Sequence, residues 1–125
     1  MEKIPYLKPL KAVSDGAAIF YLMDNPMPSG TWLFIQHAAM ENETTAFTRL
    51  RIGQGTDASH IHWWEEEPNP ALGVLYWAEE LFFVPEGHRV ITRWDGTTAG
   101  DRLAAYLDGY TTPKVQSREV FRRPG

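Results

Sequence analysis

His60, Ile61 and His62 stand just before Glu65, Glu66 and Glu67, and here residues that bind metals or move protons crowd together. Histidines at i and i+2 of a strand point to the same face. Two imidazoles and a carboxylate suit a divalent first-row ion. The candidate ligands are His60, His62 and Glu66. Three consecutive glutamates also make such a match easy to meet. The competing reading places His60 and His62 half-exposed on a strand beside Trp63 and Trp64, at a sheet edge or an interface. The expectation is that no metal or other cofactor is held, with those three residues as the candidates if an ion is bound.

Other chemistry finds less support. The chain has no cysteine, so disulfides, thiolate metal sites and a cysteine nucleophile are excluded. Ser14, Ser29, Ser59 and Ser117 all lie outside a Gly-x-Ser-x-Gly elbow. Gly53-Gln54-Gly55 lacks the third glycine and the lysine of a phosphate loop. Adjacent glutamates on a strand point to opposite faces and make poor acid–base pairs. The chain is therefore expected not to be an enzyme. Trp63-Trp64 and Tyr76-Trp77 could form a stacking platform for a sugar or a single-stranded nucleic acid. Aromatic pairs of this kind also serve cores and interfaces.

The run Gly55…His60-Ile61-His62…Glu66…Gly73 resembles the first motif of the cupin superfamily: Gly, five residues, His-x-His, three or four residues, Glu, six residues, Gly. The last two spacings fit, and the first is one residue short. The second cupin motif would bring a further histidine. Here His88 follows Gly87 directly, two residues early, and Thr92 stands where that motif has Asn. The resemblance implies a cupin-like metal-binding protein with His60, His62, Glu66 and His88 as ligands. A carbohydrate-binding β-sandwich using Trp63, Trp64 or Trp77 is another alternative.

These residues need elements to position them, and the spacing predicts strands. Pro5, Pro9, Pro26 and Pro28 argue against a long helix in the first thirty residues. Residues 1–15 read as an extended arm and Ala17–Met23 as a first strand. Thr31–Ala39 is apolar enough for a strand buried on much of both faces. Residues 45–52 alternate, so the two segments read as an antiparallel hairpin around a polar turn at Glu41–Thr44. Gly53–Asp57 reads as a loop, Ser59–Trp64 as a short strand, and Glu65–Pro70 as a break. Residues 72–78, Leu81–Val84, His88–Trp94 and Leu103–Tyr110 complete the set, with Asp95-Gly96 as a hairpin turn. Residues 69–78 and 103–110 also carry helix signals. The fold class is all-β: an antiparallel β-sandwich or jelly roll of seven or eight short strands with extended N- and C-terminal arms. The domain spans residues 16–110, between the arm and a basic tail at 111–125.

Composition points to assembly. Five Trp, five Tyr and six Phe exceed what one small core hides. No apolar run approaches the ~18 residues of a membrane span. The first residues, Met1-Glu2-Lys3-Ile4-Pro5-Tyr6, lack the apolar stretch of a signal peptide. A net charge of −4 argues against nucleic acid as the main partner. That charge is uneven: Thr111–Gly125 carries +3 and the preceding residues −7. Such a tail suggests contact with a neighbouring chain. The candidate interface residues are Trp63, Trp64, Lys114, Arg118, Arg122 and Arg123.

The segment from Glu80 to Tyr110 resembles the C-terminal half of small tailed-bacteriophage virion accessory proteins. The resemblance is carried by an apolar strand ending in Val84-Pro85-Glu86-Gly87, an alternating strand, the loop Gly96–Asp101, and a last strand ending in Asp108-Gly109-Tyr110. The Thr31–Ile52 region is similar too. The resemblance implies a β-sandwich or jelly-roll structural protein of the virion, assembled in the host cytoplasm, without catalytic residues. A capsid decoration (cement) protein is the first reading, and a tail, neck or baseplate component the alternative. Its partners would be the major capsid protein or other virion proteins, with a homo-oligomer such as a trimer or ring, no nucleic acid and no membrane.

Overall fold

The structure is a computed structural model that describes residues 3–44, 48–68, 70–71, 73–78 and 81–114. Nine strands are described: β1 (Ile4–Val13), β2 (Ile19–Met23), β3 (Thr31–Asn42), β4 (Arg49–Asp57), β5 (His60–Pro68), β6 (Tyr76–Ala78), β7 (Phe82–Val84), β8 (Arg89–Asp95) and β9 (Arg102–Pro113). They form two antiparallel sheets. The first runs β1-β9-β3-β6, and β7 also pairs with β3; the second runs β2-β8-β4-β5. β6 meets β3 at Ala38–Met40 and β7 meets it at Leu33–Ile35, so the two act as one interrupted strand. Eight strand positions in this order make a jelly roll. The expected β-sandwich class is therefore observed. No described helix is long and apolar enough to cross a membrane.

Inward-facing residues of both sheets fill the core. Leu33, Ile35, Ala38 and Met40 of β3 and Leu103, Ala105 and Leu107 of β9 meet Leu50 and Ile52 of β4 and Val90 and Trp94 of β8. The alternation within β9 settles its helix signal: its inward residues recur every two positions, and it lies between β1 and β3.

Several expectations are corrected. Residues 4–13 are not an arm beside the globule. They form an edge strand paired over its whole length with β9, from Ile4 opposite Thr111 to Val13 opposite Arg102. Pro5 and Pro9 share one parity, and an edge strand can turn their missing N–H groups to its free side. The expected hairpin of residues 31–39 and 45–52 is also absent: β3 and β4 lie in opposite sheets. Both bury a face in the common core, so the polar turn between them carries the chain across the sandwich. Asp95-Gly96 does the same between β8 and β9, with Gly96 at φ +77°. Gly53–Asp57 is strand rather than loop. A side chain at Gly53 or Gly55 would collide with the carbonyl oxygen of His62 or His60, so glycine there lets β4 close on β5 at two bulges. β5 runs through the three glutamates to Pro68, which it tolerates as an edge strand.

Two polar clusters pin the sandwich. At the β1–β2 side, the buried Asp24 carboxylate takes the Lys8 ammonium at 2.7 Å, the Tyr6 hydroxyl, and its neighbour's amide, Asn25 N–H, at 2.7 Å. Its own N–H donates to the Val90 carbonyl, so one residue ties both sheets. At one end, the Asn42 amide donates to buried Asp101 at 3.0 Å, and Asp101 accepts Thr98 N–H at 2.7 Å. Ser14 and Thr97 hydroxyls meet beside it at 2.7 Å, which fixes the Gly96–Asp101 loop.

Candidate functional site

The histidine cluster does not assemble as a ligand set. His60 Nδ1 lies 2.9 Å from Asp57 Oδ1 at the exposed hairpin tip. The His60 bond, joined by Ser59 N–H, holds the Asp57 carboxyl below the usual carboxylate range. His62 pairs with Gln54, whose side-chain oxygen contacts His88 Nδ1 at 2.6 Å. Glu66 pairs with Arg51 instead, one face away. There it is held by the Arg51 and Arg49 Nε atoms at 2.8 and 3.0 Å. Among the described residues no three His, Cys, Asp or Glu side chains come together as a metal site.

Trp63 and Trp64 part ways at a bulge. Ile52 faces Glu65 and Gly53 faces Trp63, so Trp64 is the extra residue. The bulge turns Trp64 inward, where it stacks on Phe82 with centroids 4.5 Å apart and planes 8° apart. Trp64 thus closes the edge of the core, where it stays partly exposed. Trp63 stays outside, with the Arg51 guanidinium 5.7 Å from its ring. The Lys114 ammonium is engaged by Glu86, whose carboxyl is held low by Gly30 N–H first and by Lys114 second. Arg118, Arg122 and Arg123 lie outside the described residues.

The sequence concealed a second aromatic grouping. On the outer face of the first sheet, Phe34 of β3 sits opposite Tyr110 of β9 and Phe83 of β7. Phe34 stacks on Tyr110 at 5.3 Å and tilts against Phe83 at 5.2 Å; Trp32 meets Phe83 edge-on at 5.2 Å. The Lys3 ammonium lies 4.6 Å above Tyr110. Farther along the same face, a groove of about 600 Å³ runs between Leu7, Pro9, Ala39, Leu75, Trp77 and Tyr106. Trp77 is 68% exposed and Leu7 73%. Polar groups on this face largely satisfy one another. His37 faces Asp108 at 3.4 Å, and the Tyr106 hydroxyl donates to Glu41 at 3.2 Å. Burial, then that bond, raises the Tyr106 pKa.

The whole outer face of the sheet, polar positions included, measures roughly 600 Å² for four strand positions about 4.8 Å apart and about ten residues long at about 3.3 Å each. Each partner in a standard stable interface buries about 800 Å². The face is thus of the order of one partner's share of an interface, with Trp, Tyr and Phe prominent in it. The readable signal was the apolar run Trp32–Ile35 within Thr31–Ala39. An antiparallel sheet with one solvated face alternates, and this strand does not: Leu33, Ile35 and Ala38 point in while Trp32, Phe34 and Ala39 point out.

No protein-family model matches the chain, and no curated protein sequence is similar to it. Solved structures are similar to it at a distance. A carbohydrate-binding module, CBM4, is 15% identical, with 90% of this chain and 94% of that chain covered and a TM-score of 0.38. A chain of infectious bursal disease virus, Gx strain, is 9% identical over 86% of this chain and 31% of that one, at a TM-score of 0.40. PirA is 12% identical over 82% and 93%, at 0.37. These scores carry no argument about function.

Proposed function

We propose that the chain is a structural protein of a tailed-bacteriophage virion that decorates the capsid, docking on the major capsid protein through the outer face of its first sheet. The observation that carries this reading is the aromatic cluster of Trp32, Phe34, Phe83 and Tyr110 together with the groove around Trp77 and Leu7 on the same outer face, where His37 pairs with Asp108 and the Lys3 and Lys11 ammoniums lie over Tyr110 and Tyr106. Clustered exposed apolar side chains rimmed by polar residues mark interaction surfaces. The resemblance of Glu80–Tyr110 to virion accessory proteins supplies the kind of partner. The role calls for no catalytic residue and no cofactor. A tail, neck or baseplate position would use the same face on a different virion protein.

The test uses particles lacking this protein and purified chain added back. Phe83→Ser with Leu7→Ser should lose co-sedimentation while the melting temperature stays near that of the parent. Undiminished binding by a folded double variant would overturn the docking face.

A second reading rests on Trp77. Its exposed indole beside Tyr106, Asp108 and His37 combines a stacking plane with hydrogen-bonding groups, as a sugar site needs. A glycan panel read by tryptophan fluorescence separates the two: saturable quenching that disappears in Trp77→Ala supports sugar binding, and silence across the panel removes it.

A further inference from the structure

We infer that the cleft between β5 and β6 receives the C-terminal segment, residues 115–125, of a second copy of this chain. The inference specifies the self-association that the virion reading calls for, and rests on that reading only to this extent.

The cleft holds about 340 Å³ between the open edges of the two sheets. That volume lies at the lower end of the ~300–1,000 Å³ typical of pockets that bury a ligand. Its floor is apolar, made by Met40, Leu50 and Ile52, and Tyr76 stands on the β6 side. Its rim is acidic. Glu65 lies opposite Ile52 and Glu67 opposite Leu50, so both carboxylates share the parity of core residues and face the cleft. Glu66, between them, faces the other way and is taken by Arg49 and Arg51. Glu65 and Glu67 enter no ion pair among the described residues. Carboxylates over an apolar floor call for an occupant that brings cations and an apolar side chain together.

Residues 115–125 match that chemistry. The sequence there holds Arg118, Arg122 and Arg123 with a single acid, Glu119, and Val120-Phe121 falls between the arginines in chain order. Phe121 suits the floor, and the flanking guanidiniums suit Glu65 and Glu67, which accept bidentate bonds.

Reach decides which copy supplies the segment. β9 ends at Pro113 opposite Thr31, and Lys114 N–H is bonded to the Gly30 carbonyl. The cleft lies at the Ala38–Met40 end of β3, seven or more residues away, or about 25 Å. Seven residues from Lys114 to Phe121 span about 25 Å only when fully extended. The chain also leaves β9 heading away from the cleft and would have to reverse. Its own cleft is therefore out of range for Phe121, while a neighbour's is not. Such a contact is head-to-tail, and closes into a ring where the rotation permits.

The experiment is sedimentation velocity on the full-length chain across a concentration series. The parent chain should self-associate. Glu65→Lys with Glu67→Lys, and separately Arg118→Glu with Arg122→Glu and Arg123→Glu, should each weaken association roughly tenfold or more. Mixing the two variants should restore it, because the tail of the first then meets the acidic cleft of the second. The tail substitutions lie beyond β9, so a fold defect in the cleft variant cannot mimic their effect. A monomeric parent chain, unchanged association in the tail variant, or no recovery on mixing would overturn the inference. Phe83→Ser with Leu7→Ser should leave self-association intact even where particle binding is lost, which keeps failure of the docking face distinct from failure of the tail contact.

Discussion

On the outside of the first sheet, Phe34 is flanked by Tyr110 and Phe83. On the outside of the second, Arg51 is flanked by Arg93 and Glu66. Both positions are central in their sheets and both point away from the core. The second face looks after itself. Arg49 and Arg51 share Glu66, and Arg93 donates two bonds to Asp95 at 2.7 and 3.2 Å. The Arg93 guanidinium also lies 5.9 Å from the Tyr21 ring. Charged groups there keep their water and add local pairing. The first face pairs His37 with Asp108 but also shows Leu7, Trp77 and Phe83 to water. Each Å² of apolar surface it shows costs about 25 cal/mol until something covers it. Two faces of one sandwich therefore separate into a solvated side and a side built to be covered.

The largest expected effect breaks the scaffold under both faces. Asp24→Ala strands Lys8 and Tyr6 where their side chains tie β1 to the second sheet. Losing the acceptor of both the Lys8 and the Tyr6 bonds, each a bond to a charged group, costs about 3 kcal/mol or more together, readable as a fall in the urea midpoint. Proteolysis should then cut first around β1, which carries Leu7 and Pro9 of the apolar face. Next comes the face itself. Phe83→Asp with Trp77→Asp should weaken particle binding about 100-fold or more, since aromatic anchors carry about 2 kcal/mol or more each, with little loss of stability.

Tyr6→Phe removes one bond to a charged group, about 1.5–3 kcal/mol near neutral pH. Burial, and then the bond to Asp24, raises the Tyr6 pKa far above its ordinary value of 10.0. The folded form thus keeps a proton that the unfolded chain releases. The parent's stability should be full below pH 10 and fall as pH rises beyond it. The gap between parent and Tyr6→Phe should narrow there in thermal melts from pH 8 to 11. The smallest effect belongs to the second face: Arg51→Ala should change both stability and particle binding by less than about 1 kcal/mol.

The contrast between the faces was only half legible in the sequence. Alternating and apolar runs bounded by turn residues were enough for an all-β sandwich, because period-two burial is a local property. Pairing was not legible. A polar turn after residues 31–39 is equally compatible with a hairpin and with a crossing to the facing sheet, and only the shared core of Leu33, Ile35, Leu50 and Ile52 decides between them. Pro5 and Pro9 suggested an arm because the sequence does not show that their strand lies at an edge. Trp63 and Trp64 looked alike until the bulge sent Trp64 onto Phe82. The aromatic face itself lay hidden because Trp32 and Phe34, Trp77 and Phe83, and Tyr110 come from three separate stretches of the chain that become neighbours only when β3 gains β9 and the interrupted β6–β7 strand.

Hydroxyl-radical footprinting of the chain, free and bound to its particle, tests the central claim most directly. Docking through the first sheet predicts that Trp77, Phe83 and Tyr106 lose labelling on binding while Tyr21 and Trp63, on the second sheet, label as before. Protection of Tyr21 and Trp63 with Trp77 and Phe83 unchanged would contradict it.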